Sequence, residues 1–213
     1  VAATLLAQDY PRDRLTGVFA LDRCTDATEP TLRAAIDRDD RFRIHTIASC
    51  PPDWAGKVNA LWQAVSTEPA CLEADYLLFI DADTALDPAC VRSTVAIAHA
   101  RGLGMLTLLS TLTGETWFER RLQPAAAFEL VRQYPLDRAG RPGDDRRAFA
   151  NGQFILFSRA AYDAIGGHYS VRGQIFEDVK IAQQVAQKNI PAAVVLADAM
   201  LRCRMYADYE AFS

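Results

Sequence analysis

An α/β fold, with a mostly parallel mixed sheet flanked by helices, is predicted by three observations. Short apolar runs alternate along the chain with segments of helical spacing. The run Tyr76–Ile80 is too short for a helix and is apolar or aromatic throughout, as a strand buried on both faces must be. It ends abruptly in two carboxylates, Asp81-Ala-Asp83, and an earlier run at residues 18–21 ends in a second acidic turn, Asp22-Arg-Cys-Thr-Asp26-Ala-Thr28. Open α/β sheets bind ligands outside the carboxyl ends of parallel strands, so these turns mark one sheet edge as the candidate site.

Taken in order, residues 1–8 have helical character, residues 18–21 form a strand, and a helix spans about 30–36. Phe42–Ile47 is the next strand, and the loop from Cys50 to Lys57 feeds a helix over about 58–65. Gly56-Lys57 at that helix start can hold an anion, because free N–H groups and an ammonium point the same way. Pro51 stands where a phosphate-binding P-loop needs its first glycine, which excludes that motif. Asp87 as N-cap and Pro88 in the first turn start a helix over Cys90–Ala100 that stops at Gly102. Residues 104–109 form another strand.

Residues 114–147 differ in character. Trp117, Phe118, Leu122, Phe128, Leu130, Val131 and Tyr134 fall at loose helical spacing, with Arg120, Arg121, Arg132 and Arg138 between them. Such a stripe either packs on its own core, walls an acceptor groove or lies on a membrane surface. The turn-rich loop Gly140-Arg-Pro-Gly-Asp-Asp-Arg-Arg147 is a candidate lid. A strand over 151–157 and a short helix over 159–165 come next, stopped by Gly166-Gly167. Glu177-Asp178 then opens a helix running to about Lys188. Acids in a first turn are stabilised by the helix dipole, which holds a carboxylate in the charged form that a general base needs. A last strand at 194–196 precedes the basic-aromatic cluster Arg202-Cys-Arg204-Met-Tyr206.

The chain has 213 residues, half of them hydrophobic, and a formal net charge of −4. That size supports one domain over residues 1–213, and the charge excludes a basic nucleic-acid footprint. Five cysteines with no Cys-x-x-Cys pair read as reduced thiols in a cytoplasmic setting. No apolar run reaches the roughly 20 residues needed to cross a bilayer. The expected location is cytoplasmic, including the cytoplasmic face of a membrane.

Two carboxylates as close as Asp81 and Asp83 repel unless a cation lies between them, which points to Mg2+ or Mn2+. Together with Asp22 to Thr28, Gly56-Lys57, Gly166-Gly167 and Glu177-Asp178, in this order, the chain resembles the inverting family 2 glycosyltransferases of the GT-A fold. The wording Phe149-Ala-Asn-Gly-Gln-Phe-Ile-Leu and Arg202-Cys-Arg-Met-Tyr206 is most similar to members with lipid acceptors, among them hopanoid-associated, carotenoid and ceramide glucosyltransferases. The resemblance implies a UDP- or GDP-sugar donor and a hydroxyl acceptor. Asp22 would accept from the nucleotide base, Lys57 and Asp81 would hold the rest of the donor, and Asp83 would ligate the divalent ion. Asp178 would be the general base, and Arg204 would help to offset leaving-group charge. Residues 1–110 would form the nucleotide-sugar half and 111–213 the acceptor and catalytic-base half. Specificity is expected from the surroundings of Asn151, Gln153, His168 and the 114–147 segment.

Two departures from the family pattern matter. A first strand that members usually carry before the opening helix is missing, so the chain reads as a fragment of a longer protein. In place of the Gln-x-x-Arg-Trp motif of processive members stand Leu201 and Met205, which implies single sugar transfer. Two rival readings are a phosphatase of the haloacid dehalogenase type, with Asp81 as nucleophile, and a non-catalytic sugar-nucleotide or lipid binder. Ala85, where that motif has Thr, and the position of Asp81 after two strand-helix units where the motif normally opens its domain count against the first, and the second gains weight only from the missing first strand.

Overall fold

A computed structural model describes residues 1–37, 39–112, 132–135 and 138–203, and the sequence signals become these elements. In chain order they are α1 (Ala2–Leu6), β1 (Gly17–Asp22), α2 (Thr28–Ile36), β2 (Phe42–Ile47), α3 (Gly56–Thr67), α4 (Pro69–Leu72) and β3 (Tyr76–Ile80). Next are β4 (Thr84–Leu86), α5 (Cys90–Ala100), β5 (Met105–Leu109), β6 (Thr111–Leu112) and β7 (Phe154–Ser158). The last are α6 (Arg159–Ala164), a 3-10 turn (Gly167–Val171), α7 (Glu177–Gln187), β8 (Ala192–Leu196) and β9 (Leu201–Cys203).

The central sheet has the order β3-β7-β5-β8 and is mixed. β5 and β8 are parallel, whereas β7 runs antiparallel to both β3 and β5. β3, expected to be a parallel strand, thus pairs antiparallel with β7 among the described residues; apolar periodicity reports burial but not strand direction. β1 and β2 form a separate parallel pair, with Gly17 opposite Phe42. Only glycine fits at that position, because a Cβ would lie 2.4 Å from the Phe42 ring. The short strands β4, β9 and β6 make a third sheet.

Alternation along the central strands divides the core into two layers. Ile155 and Phe157 of β7 pack with Phe79, Met105, Val58, Tyr162 and Ile181 on the face covered by α3, α6 and α7. Phe154 and Leu156 point the other way, onto Leu106, Leu108, Val91 and Ala98 beneath α5. β3 shares this pattern, with Leu77 and Phe79 buried on the first face and Leu78 and Ile80 partly buried against the second. An α/β fold with a mixed sheet flanked by helices is the result. None of the five cysteines forms a disulfide.

The Gly140–Arg147 loop, expected as a lid, is pinned to its surroundings. Gly143 N–H donates to Ala186 O at 2.8 Å, and Gln187 Nε2 donates to Asp145 Oδ2 at 2.8 Å. Much of the basic-aromatic stripe, from Trp117 to Val131, lies outside the described residues. So do Arg204, Met205 and Tyr206.

Candidate active site

One ammonium joins the two halves of the chain. Lys57, in the first turn of α3, places Nζ 2.8 Å from Asp81 Oδ1 at the end of β3 and 2.9 Å from Glu177 Oε1 at the start of α7. Burial pulls the Lys57 pKa down, but the two carboxylates outweigh it and the net shift is upward, so the ammonium stays charged. Lys57 and Asp81, both assigned to the donor from the resemblance, are thus brought together. Glu177 as a second partner is not legible in the sequence.

Asp178 adjoins this cluster and is oriented by backbone. Its Oδ1 accepts the Val179 N–H at 2.8 Å within the free first turn of α7, and its Oδ2 accepts the Gly152 N–H at 3.0 Å. Gly152 leaves room there: a Cβ would sit 3.2 Å from both Asp178 Oδ2 and Lys57 Nζ. The base candidate and the donor-side cation therefore face one another across a single glycine.

Asp83 stands apart from that cluster. Its Oδ2 accepts from Cys203 Sγ at 3.5 Å, and Gln153 Nε2 donates to the same sulfur at 3.1 Å. β9 delivers Cys203 because Thr84 of β4 pairs with it directly. Among the described residues no three His, Cys, Asp or Glu side chains converge as a ready metal cage. Mg2+ commonly uses only one or two carboxylates and completes its shell with water and substrate phosphates, and the exposed Asp83 fits that mode.

Asp22, at the end of β1, is held by its neighbour: Arg23 Nε and Nη2 donate to its two oxygens at 2.8 and 2.7 Å. This pairing, more than any other influence, lowers the Asp22 pKa. A Cβ on Gly56 would lie 2.9 Å from Asp22 Oδ2, so Asp22 flanks the same α3 start that carries Lys57. Arg204 lies outside the described residues. A cavity of about 430 Å3 opens at the other end of the sheet, lined by Tyr76, Ser158 and Ile190. It holds none of these carboxylates.

A profile of the family described as glycosyltransferase like family 2 matches residues 1–206. The chain belongs to this family. Among solved structures, the family 2 chain is similar to S. aureus TarS 1–349 in complex with UDP-GlcNAc, at 14% identity and a TM-score of 0.67, over 100% of this chain and 56% of that one. The same TarS fragment with UDP gives 16% identity and 0.63, over 100% and 57%. Glucosyl-3-phosphoglycerate synthase from Mycobacterium tuberculosis, in complex with phosphoglyceric acid, gives 16% and 0.50, over 86% and 59%. These likenesses establish the GT-A fold. The family 2 chain spans little more than half the length of those structures. No curated protein sequence matches it.

His168, expected to shape the pocket, lies inside the core of the family 2 chain instead. It is 3% exposed, its ring meets Phe79 edge-on at 4.5 Å, and its Nδ1 is 2.8 Å from Tyr162 Oη. Gln153 is buried as well. Burial first, and the Lys57 charge second, push the His168 pKa down to about 3. The folded state therefore disfavours the imidazolium. Stability is intact above the ordinary histidine value and is lost as pH falls from about 6.5 toward about 3, by up to about 1.4 kcal/mol per pH unit. Thermal unfolding measured from pH 7 to pH 4 checks this, and His168→Gln should flatten the slope. An unchanged slope would mean that other groups control the acid limb.

Proposed function

We propose that this chain transfers a sugar, with inversion, from a UDP- or GDP-sugar to a hydroxyl of an acceptor, with Asp178 as general base. The observation that carries the reading is the facing pair: Asp178, oriented by the Gly152 and Val179 N–H groups, opposite a Lys57 ammonium already set among carboxylates. Asp178 accepts the proton of the acceptor hydroxyl as its oxygen bonds to the anomeric carbon. The bond from that carbon to the diphosphate oxygen breaks on the opposite face, and the electron pair leaves with the nucleotide. One displacement needs no second carboxylate nucleophile, unlike a retaining route. Lys57 neutralises part of the charge that develops on the leaving diphosphate. A bound Mg2+ or Mn2+, with Asp83 as its protein ligand, would supply further neutralisation. Asp22 is suited to accept from the nucleotide base once Arg23 yields, and Arg204 is assigned to the leaving group from the family pattern alone.

In this reading residues 1–110 supply the donor half and 111–213 the acceptor and base half, which meet at the Lys57–Glu177 contact. TarS structures with UDP-GlcNAc and UDP support a nucleotide-sugar donor. Leu201 and Met205 support single transfer, and the resemblance to lipid-acceptor members supports an apolar acceptor met at the cytoplasmic face of a membrane. No helix among the described residues is long and apolar enough to cross one. Family membership favours transfer over the phosphatase reading.

Calorimetric titration with UDP and with GDP, each with and without Mn2+, tests the donor site. We expect one nucleotide to bind, binding to strengthen with Mn2+, and Asp83→Ala to abolish the metal dependence. Binding that ignores both Mn2+ and Asp83→Ala would remove the cation from the reading. A folded protein that binds neither nucleotide would overturn the reading itself.

A further inference from the structure

Glu177 is a charged group that the displacement described above does not use. Its side chain is only 10% exposed, although it adjoins the base in sequence and opens the same helix. A buried carboxylate is costly unless it is paired and hydrogen-bonded, and its charge partner is the Lys57 ammonium at 2.9 Å. Lys57 has the opposite problem. Its side chain is 43% exposed on a flexible four-carbon stem, and an ammonium of that kind, left alone, spreads over many rotamers. Two fixed carboxylates on different elements, Asp81 after β3 and Glu177 on α7, remove that freedom.

We propose that Glu177 is a positioning residue for the donor site: it holds the Lys57 ammonium against Asp81 with the geometry in which it meets the donor diphosphate. The inference rests on the donor reading given above. An ammonium has three N–H donors. Among the described residues Asp81 and Glu177 take two, which leaves the third for an acceptor that arrives with the substrate. Gly152 keeps the space beside Nζ open, since a Cβ there would approach it to 3.2 Å. The consequence is preorganisation. Without Glu177 the donor must order Lys57 at the moment of binding, and affinity falls by that entropy.

A double-mutant cycle on the full chain tests this, using whichever of UDP or GDP the wild type binds, with Mn2+ present. Glu177→Gln keeps the shape but removes the charge. We expect it to weaken nucleotide affinity about 10-fold and to raise KM for the donor more than it lowers kcat. Lys57→Met should weaken affinity at least as much, and the double variant should be no weaker than Lys57→Met alone, because Glu177 acts only through Lys57. Glu177→Gln with affinity within about twofold of wild type but a lowered Tm would assign the residue to fold stability and overturn the proposal. Additive losses in the double variant would overturn it too. Should Glu177→Gln not fold, Glu177→Asp keeps the charge and withdraws the carboxylate by one methylene; a fall in affinity supports the proposal, and none overturns it. A wild type that binds neither nucleotide would instead sink the donor reading, and this proposal with it.

Discussion

Asp178→Asn should lower the rate of sugar transfer by about 10²- to 10⁴-fold while leaving nucleotide affinity in place. The substitution is close to isosteric, so the acceptor oxygen keeps its room, but an amide cannot take the acceptor proton. Asp178 receives one backbone N–H on each oxygen, from Val179 and from Gly152. Asparagine must turn its own N–H2 toward one of those donors, and a modest fall in Tm should accompany the loss of rate. The decisive comparison is kcat, measured with saturating donor and acceptor, beside the calorimetric affinity for the nucleotide. Transfer that persists at near wild-type rate would show that another group takes the proton.

Gly152→Ala should also slow transfer, by a different route. Its Cβ would intrude to 3.2 Å from both Asp178 Oδ2 and Lys57 Nζ. Those atoms end side chains that can move a few tenths of an ångström, so the fold survives. The reaction is less forgiving: a misplacement on the order of 1 Å costs about 100-fold in rate. A displacement of a few tenths of an ångström takes part of that, so we expect kcat to fall roughly 5- to 10-fold with Tm changed by only a few degrees. A large loss of Tm, or an unchanged kcat, would mean that Gly152 serves the backbone and not the site.

Much of the fold is legible because its signals are local. The helix Cys90–Ala100 lies where Asp87, Pro88 and Gly102 place it, and Gly102 adopts a positive φ of 60°, but its N-cap is Ala89: Asp87 and Pro88 form the turn before the helix, and Asp87 Oδ1 accepts the Ala89 N–H at 2.9 Å. Gly166 and Gly167 also have positive φ, 78° and 53°, where the sequence places a helix stop. Strand direction is not local, which is why β7 running against β3 cannot be read from the apolar runs. Nor can β4 and β9: three-residue strands carry no period to read, and Thr84-Ala-Leu86 looks like the tail of a turn. At the site, each acid can be picked out by its place at a strand end or helix start. Their partners cannot. The Lys57–Glu177 and Asp83–Cys203 contacts join residues on either side of more than half the chain, and only tertiary packing selects them. His168 shows the converse error, since a polar residue beside a Gly-Gly turn reads as surface until the Phe79 and Tyr162 rings close over it.

The reversed direction of β7 decides how the charged edge is equipped. Ile80, the last residue of β3, pairs with Phe154, the first of β7, and beyond them Asp81 N–H donates to Gln153 O at 3.3 Å. The edge where β3 runs out is thus the edge where β7 comes in. An outgoing strand can offer only the residues after its last pair. An incoming one brings the segment before it, and Asn151-Gly152-Gln153 reaches the acids with its amides not yet committed to the ladder. One of these amides orients Asp178. Insertions or deletions in the chain leading into β7 should therefore reach Asp178 directly, whereas comparable changes beyond Ser158 fall at the far end of the sheet.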